Sequence, residues 1–271
     1  MKYMQRYLLP FLFFVFAFAG KSTAADSLHV IKSIPMKGKL LTADELGNVY
    51  VVRAGNNLIR FTDAGDSSAF YRVIFNGNIE AIDATNPLRL ILYYPDYSKV
   101  EILDRMLALK NEINLTQMGL THPPVVANSA DGNLWVYDQF NARLRKIDDQ
   151  LQEIASSNDL RQQVGVVPQP VFMVEKERKL YICDTTEGIM VFDQYASYIN
   201  TLSIPNVKFL QVYGDQLIYR REDSLMSYNL KSLRTNIILL PQPEPIINAV
   251  IARHNLYVLY NDRLVLYRMP E

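Results

Sequence analysis

A pattern of two strands recurs six times along the chain, and this repetition constrains the fold more than any other feature. Each copy begins at a turn, continues as an aromatic-rich strand, and returns through a polar loop as a second strand. The first strands of the copies contain, in turn, Tyr50, Leu92, Trp135, Tyr181, Ile218 and Tyr257, which lie 42, 43, 46, 37 and 39 residues apart. Blades of a β-propeller repeat at about 40–45 residues. The spacing therefore predicts an all-β chain with six blades.

Further apolar runs flank each pair of strands and complete the predicted blades. Residues 125–128 and 171–174 precede two of the pairs, and residues 69–75 and 197–202 follow two others. Each blade is thus predicted to contain four strands, and enrichment in β-branched and aromatic residues supports this. A helical repeat is disfavoured because Gly, Asn, Asp or Pro interrupts the runs every 8–12 residues. Only residues 149–163 could hold a helical turn. A β-sandwich, the other alternative, would not need six equivalent hairpins.

The two ends of the repeat region predict how the ring closes. The sixth copy stops at Met269, directly after its third strand, and an unassigned strand, Leu28–Ile34, precedes the first copy. Pairing between them would complete the last blade and leave the ring without an open gap. We therefore expect the N-terminal strand to be the fourth strand of blade six.

The first 25 residues have the layout of a secretory signal peptide. Lys2 and Arg6 precede an apolar run at residues 8–20, and small residues follow at 22–24. The run of about 13 residues is shorter than the roughly 20 needed by a spanning helix, so an uncleaved anchor is the weaker alternative. We expect residues 1–25 to be removed, leaving a protein in the periplasm, secreted or on the cell surface, with no transmembrane segment in the mature chain.

Composition limits the remaining possibilities. Residues 26–271 are expected to form a single domain, because propellers of this length commonly do. The chain has 28 basic and 28 acidic residues, so nothing in its charge favours nucleic acid. Its one cysteine, Cys183, excludes an intramolecular disulfide.

The third copy, residues 133–144, resembles an NHL repeat, with an apolar strand, an aspartate, a polar loop containing asparagine, and a basic-apolar strand. The copies at 55–60 and 184–189 match this unit more loosely. The whole mature chain also resembles a group of exported propellers of Bacteroidota, through residues 81–88 and 191–193. The resemblance implies the fold and export, but it implies no activity, because no functional residues are attached to that group.

A calcium-dependent hydrolase or lyase with its site in the central channel would need six to eight oxygen ligands for the calcium ion, supplied by several inner strands. The sequence offers Glu80, Asp83, Asn128, Glu175 and Asn248 as candidates, but it does not place them at equivalent heights. The entrances to the inner strands are instead rich in proline. We expect no bound metal and no cofactor.

Nucleophilic catalysis is also disfavoured. The chain contains no Gly-x-Ser-x-Gly motif, and His29, His122 and His254 have neither metal-ligand nor triad spacing. Cys183 lies on a strand where a small buried apolar residue is expected. We predict no catalytic residues.

The loops between the second and third strands of the blades should share one face with the connections between blades. Tyr97 and Phe140 are aromatic at positions where turns favour small polar residues, and Arg220 and Arg221 add planar donors. Aromatic and arginine side chains are common at the centres of protein interfaces. The predicted binding residues on this face are Tyr97, Phe140, Arg220, Arg221, Asp96, Asp138 and Asp184. Two alternatives stay open: the aromatic side chains could fold back onto neighbouring blades, and the aspartates could accept hydrogen bonds from their own turns.

These observations favour a non-enzymatic interaction or scaffold module of the bacterial cell envelope, with another envelope protein or a glycan as its partner. A carbohydrate or small-molecule binder is the first alternative. A calcium-dependent hydrolase or lyase is the second.

Overall fold

The computed structural model describes residues 28–73, 75–241 and 245–269. Their strands pair in six antiparallel sheets of four strands each, which confirms the predicted six-bladed propeller. The predicted signal peptide, residues 1–25, lies outside the described residues. Within the three described ranges, no helix is long and apolar enough to cross a lipid bilayer.

Each blade has its first strand at the central channel and its fourth strand at the outside of the ring. Blade 1 contains β2 (Gly38–Ala43), β3 (Val49–Arg53), β4 (Asn57–Phe61) and β5 (Ser67–Arg72). Blade 2 contains β6 (Ala81–Asp83), β7 (Leu90–Tyr94), β8 (Lys99–Leu103) and β9 (Leu109–Asn114). Blade 3 contains β10 (Val126–Asn128), β11 (Leu134–Asp138), β12 (Arg143–Ile147) and β13 (Glu153–Ser156).

The second half of the ring repeats the arrangement. Blade 4 contains β14 (Pro170–Lys176), β15 (Lys179–Asp184), β16 (Gly188–Asp193) and β17 (Tyr198–Leu202). Blade 5 contains β18 (Leu210–Tyr213), β19 (Gln216–Arg221), β20 (Ser224–Asn229) and β21 (Thr235–Leu239). Blade 6 contains β22 (Ile246–Ala252), β23 (Asn255–Tyr260), β24 (Arg263–Arg268) and β1 (His29–Pro35). Helix α1 (Leu160–Val164) is one turn long, and 3-10 turns cover Pro95–Tyr97 and Leu115–Met118.

The N-terminal strand closes the ring as predicted. Strand β1 pairs antiparallel with β24, so that His29 lies opposite Arg268 and Pro35 lies opposite Arg263. Blade 6 is therefore built from both ends of the repeat region. Because β1 occupies the outermost position, the hydrogen-bonding edge of β24 is covered.

The core consists of six apolar clusters, each held between the facing sheets of two neighbouring blades. The second strand of a blade touches both neighbours, and all five residues of β11 and of β7 are buried. Such strands are apolar over most of their length and do not alternate with a period of two. The outer strand β5 does alternate between exposed and half-buried residues. The mainly apolar strands in the sequence are thus the second strands of the blades.

The turns between the third and fourth strands explain a further part of the repeat. Asp148 accepts hydrogen bonds from the backbone N–H groups of Gln150 and Gln152, at 2.9 and 2.8 Å. Asp104 and Asp193 make the same pair of contacts in blades 2 and 4. The recurring aspartate therefore fixes the turn to the outer strand.

Candidate functional site

The loops between second and third strands and the connections between blades form one side of the ring, which we call the upper face. The turns between first and second strands and between third and fourth strands form the lower face. The upper face carries the predicted loop residues, and it also surrounds one mouth of the central channel.

Phe140 projects from the upper face at the tip of the loop between β11 and β12. Asp138 shapes this loop, since its Oδ1 accepts the N–H of Asn141 at 3.1 Å and its Oδ2 accepts the side-chain amide of Asn141 at 2.8 Å. Phe140 is 90% exposed. The side chain therefore does not fold back onto a neighbouring blade.

Tyr97 lies in the equivalent loop of blade 2 and is 56% exposed. The connection from blade 1 presses against this loop, because a Cβ on Gly77 would lie 3.2 Å from Cδ2 of Tyr97 and 2.8 Å from Oδ2 of Asp96. Gly77 also has a φ of +73°, a conformation that favours glycine. Asp96 is exposed, and its Oδ2 accepts the N–H of Asn78 at 3.4 Å.

Phe75 is a third exposed aromatic residue of this region, and the sequence interpretation placed it in an outer strand instead. Strand β5 ends at Arg72, and Phe75 lies in the connection that follows, 86% exposed. Asn76 anchors this connection, because its side-chain amide donates to the buried carboxylate of Glu101 at 2.5 Å. We call Phe75, Tyr97 and Phe140 the aromatic sector.

Glu101 is itself held by two phenols. The hydroxyl of Tyr94 donates to Oε2 of Glu101 at 2.7 Å, and the hydroxyl of Tyr71 donates to the same oxygen at 3.1 Å. Burial is the largest cause that raises the pKa of both tyrosines, and the adjacent carboxylate raises it further. These contacts join blades 1 and 2 directly beneath the connection that carries Phe75.

Asp138 and Asp184 are buried, and their carboxylate oxygens are engaged in the local turns. Asp184 accepts the N–H groups of Thr186 and Gln169 at 2.8 and 2.7 Å. The two side chains are only 6% and 3% exposed. Both aspartates therefore position loops, and little of either is accessible to a partner at the upper face.

The structure does not bring Arg220 and Arg221 close to the aromatic sector. Both lie at the end of β19 in blade 5, which is opposite blade 2 in a ring of six. Arg221 is exposed, and the guanidinium of Arg220 donates to the carbonyl oxygen of Glu222 at 2.9 Å. A partner touching both groups would have to span the channel mouth.

The candidate calcium ligands act as links between neighbouring blades. Oδ2 of Asp83 accepts the N–H of Asn128 at 2.7 Å, joining blades 2 and 3. Glu175 accepts the hydroxyl of Ser129 at 2.6 Å and the indole N–H of Trp135, joining blades 3 and 4.

A similar link joins blades 6 and 1, where the side-chain amide of Asn248 donates to the carbonyl oxygen of Leu41 at 3.1 Å. The remaining candidate, Glu80, is exposed and lies 3.6 Å from the ammonium of Lys39. Across residues 28–73, 75–241 and 245–269, no three His, Cys, Asp or Glu side chains are grouped so as to hold a metal ion.

The cysteine and the histidines lie apart from one another. Cys183 is fully buried on β15, and burial raises the pKa of its thiol, which opposes formation of the reactive thiolate. Nδ1 of His122 lies 2.8 Å from the carbonyl oxygen of Pro95 beneath the aromatic sector. His29 lies on the closing strand and His254 in a lower-face turn, and both are exposed.

The lower face also has exposed apolar residues, but they are distributed over separate turns. Leu46 is in blade 1, Leu88 and Met106 are in blade 2, Tyr195, 68% exposed, is in blade 4, and Leu233 is in blade 5. On the upper face, Val167 at 53% and Val171 at 47% extend the aromatic sector toward blade 4 and the channel mouth. The three residues of the aromatic sector lie in blades 2 and 3 and in the connection that leads into blade 2.

No protein-family model matches the chain, and no curated protein sequence matches it either. The NHL-type repeat and the resemblance to Bacteroidota propellers therefore stay predictions.

Solved structures match the fold at low sequence identity. The Pan2 WD40 domain of Neurospora crassa has a TM-score of 0.65 and 9% identity, covering 90% of this chain and 96% of that one. A chain of a mitotic checkpoint complex has a TM-score of 0.66 and 10% identity, covering 99% and 100%. The virginiamycin B lyase of Staphylococcus aureus has a TM-score of 0.56 and 12% identity, covering 85% and 80%. At such identities the likeness shows the propeller fold alone.

Proposed function

We propose that this chain is a non-enzymatic binding module of the bacterial cell envelope, and that its aromatic sector docks a partner protein. The observation that carries the proposal is the 90% exposure of Phe140 at a loop tip whose turn is fixed by Asp138. Tyr97 lies on the same face in the neighbouring blade 2, and Phe75 lies in the connection that leads into that blade. Clustered exposed apolar residues on a soluble domain are typical of interaction sites, and aromatic residues are enriched in them.

The placement of the acidic residues supports binding over catalysis. Asp83 and Glu175 use their carboxylate oxygens to link blades, and Asp138 and Asp184 use theirs to shape turns. One structural neighbour is a lyase and another belongs to a protein complex, so the fold by itself is compatible with either class.

The docking proposal is tested with a photo-crosslinking amino acid placed at position 140, in cells that make the protein naturally. The control places the same amino acid at Tyr195, which is exposed on the lower face. We expect one discrete protein adduct from position 140 and none from position 195. Adducts of equal intensity from both positions, or no protein adduct from position 140, would contradict the proposal.

Once the partner is purified, its affinity is measured against Phe140→Ala, Tyr97→Ala and the control Tyr195→Ala. Removing an aromatic anchor from an interface centre costs about 1–2 kcal/mol or more, which is roughly five- to thirtyfold in Kd. We expect such losses for the two upper-face variants and less than a twofold change for the control. If Phe140→Ala and Tyr97→Ala bind a glycan array less well than the unchanged protein does, while their affinity for proteins stays the same, the partner is a glycan.

Export is proposed on the charged, apolar and small-residue order of residues 1–25. The test is the mass and N-terminal sequence of the protein recovered from fractionated cells. We expect a chain that begins within a residue or two of Ala25 in the envelope or extracellular fraction. Recovery of the intact chain in the cytosol would refute this.

A further inference from the structure

The central channel contains a cavity of about 360 Å³ that the docking proposal does not use. Inner strands β2, β6, β10, β14 and β18, from five of the six blades, contribute to its wall. Pockets that bind small molecules usually have volumes of about 300–1,000 Å³ and mainly apolar walls. The size of this cavity is therefore sufficient for a small ligand.

Apolar side chains line most of the upper and middle parts of the cavity. Phe172 and Phe209 pack there with their ring centroids 4.9 Å apart, and Val125 and Leu210 add aliphatic surface. Val171, at the upper mouth, is 47% exposed. A ligand body in this part of the channel would gain from removing apolar surface from water.

An ion pair crosses the lower end of the channel. Nζ of Lys176, at the end of β14 in blade 4, lies 2.8 Å from Oε2 of Glu45, which follows β2 in blade 1. Blades 1 and 4 are opposite each other in the ring, so this pair narrows the lower mouth. Among the described residues that line the cavity, Lys176 is the one basic residue.

The other charged residues described in the wall are acidic. Asp44, Glu45, Asp83 and Glu177 lie at the lower ends of the inner strands. Glu80 lies at the upper end of β6, 3.6 Å from the ammonium of Lys39. Asp44 is 2% exposed and accepts hydrogen bonds from Asn48 and Tyr50, and Asp83 is 9% exposed and accepts them from Thr85 and Asn128. All of these donors are neutral. Burial raises the pKa of Asp83, and the hydrogen bonds from Thr85 and Asn128 oppose that rise because they stabilise the carboxylate.

Charge and shape together identify the ligand class. We propose that the channel binds a small molecule with an apolar body and a cationic nitrogen. The apolar body lies against Phe172 and Phe209, and the nitrogen lies toward the carboxylates at the lower end of the inner strands. A positive charge is favoured there, because opposite charges attract more strongly in a partly desolvated cavity than in water. None of the three residues of the aromatic sector lines this cavity, and the two surfaces approach each other at Val171.

The test uses two probes of similar size and opposite charge, 2-phenylethylammonium and 3-phenylpropionate, together with octyltrimethylammonium as a longer cation. Binding to the mature chain is measured by isothermal titration calorimetry. We expect both cations to bind at least about tenfold more tightly than the carboxylate, consistent with the charge of the wall. Equal affinity for the two short probes, or no binding of any probe, would overturn the proposal.

Variants separate the channel from the rest of the surface. Lys176→Gln removes the competing cation and should tighten cation binding about threefold or more. Lys231→Gln is the matched control, because Lys231 is an exposed lysine that pairs with Asp215 at 2.5 Å and lies outside the cavity wall. It should leave the affinity unchanged. Equal effects of the two changes would show that only net charge matters and would refute the assigned site.

Val171→Trp should block the upper mouth and weaken binding of all cationic probes, while its melting temperature reports that the variant is folded. Phe140→Ala should bind the cations as the unchanged protein does. If Phe140→Ala weakens cation binding and Val171→Trp does not, the ligand lies on the aromatic sector and the channel assignment is wrong.

Discussion

Replacing the buried Glu175 by alanine should lower the free energy of unfolding more than the same replacement of an exposed glutamate. Glu175 is 4% exposed and accepts hydrogen bonds from the hydroxyl of Ser129 at 2.6 Å, the indole N–H of Trp135, and the N–H of Ala130 at 3.3 Å. In Glu175→Ala the hydroxyl of Ser129 and the indole N–H of Trp135 stay buried between blades 3 and 4 without this acceptor, whereas Ala130 is exposed.

The expected loss follows from those contacts. Each buried donor left without an acceptor costs about 1–3 kcal/mol, so losing the acceptor of the hydroxyl and of the indole should cost about 2–6 kcal/mol in total. Part of this is offset, because the variant no longer has to bury a carboxylate. We therefore expect a net loss of about 3 kcal/mol in the free energy of unfolding. Glu175→Gln keeps one acceptor oxygen and should lose about half as much.

The assay is urea unfolding followed by circular dichroism and by the fluorescence of Trp135, the single tryptophan of the chain, which is fully buried. With a urea m-value of about 3 kcal/mol/M, the midpoint should fall by about 1 M. Glu153→Ala is the control, since its ion pair with Arg145 is equally short at 2.6 Å but partly exposed. That change should cost less than about 1 kcal/mol. If the two variants have the same midpoint at an unchanged m-value, the structural role assigned to Glu175 is refuted.

Other predictions follow from closure, backbone geometry and buried phenols. A chain lacking residues 1–27 should fold, whereas one lacking residues 1–35 should lose the outer strand of blade 6 and aggregate in size-exclusion chromatography; equal elution would contradict the closure. Gly188→Ala should lower the free energy of unfolding by more than about 2 kcal/mol, because its Cβ would clash with the carbonyl oxygen of Leu202, while Gly132→Ala, with open space at its Cβ, should cost about 1 kcal/mol. Burial raises the pKa of Tyr137 from 10.0 to about 12, so its contribution to stability is complete below about pH 10 and is lost as the pH rises to about 12. Tyr137→Phe should therefore flatten the alkaline fall of the urea midpoint between these pH values, and an unchanged fall would show that other groups cause it.

The repeat made most of the architecture predictable, because the signals of strands and turns lie within a few neighbouring residues. Asp138 and Asp184 illustrate this, since each carboxylate accepts from backbone groups two or three residues later in the chain. The closing strand was predictable for a different reason. The sixth copy has only three predicted strands, and an unassigned strand precedes the first copy. Pairing that strand with the sixth copy is the simplest way to complete blade 6.

Phe75 shows where local pattern misleads. The run 69–75 is apolar enough to be read as one strand, but contacts of Asn76 with Glu101 and of Gly77 with the next blade end the strand at Arg72. These contacts join residues that are more than 15 positions apart in sequence. The aromatic sector therefore has one more member than the sequence revealed.

By itself, the sequence determined the number of blades, most of the strands within them and the closing strand. It named Tyr97 and Phe140 as candidates, but only the structure showed that their side chains are exposed. Only the tertiary structure decided that Asp83 and Glu175 link blades, because their partners Asn128 and Ser129 lie one full repeat away. It also decided that Arg220 lies opposite the aromatic sector, and that Lys176 meets Glu45 across the channel, 131 residues away. Closing the ring brings these distant residues into contact, and a local sequence pattern contains no information about such contacts. The candidate channel site is consequently a property of the closed ring.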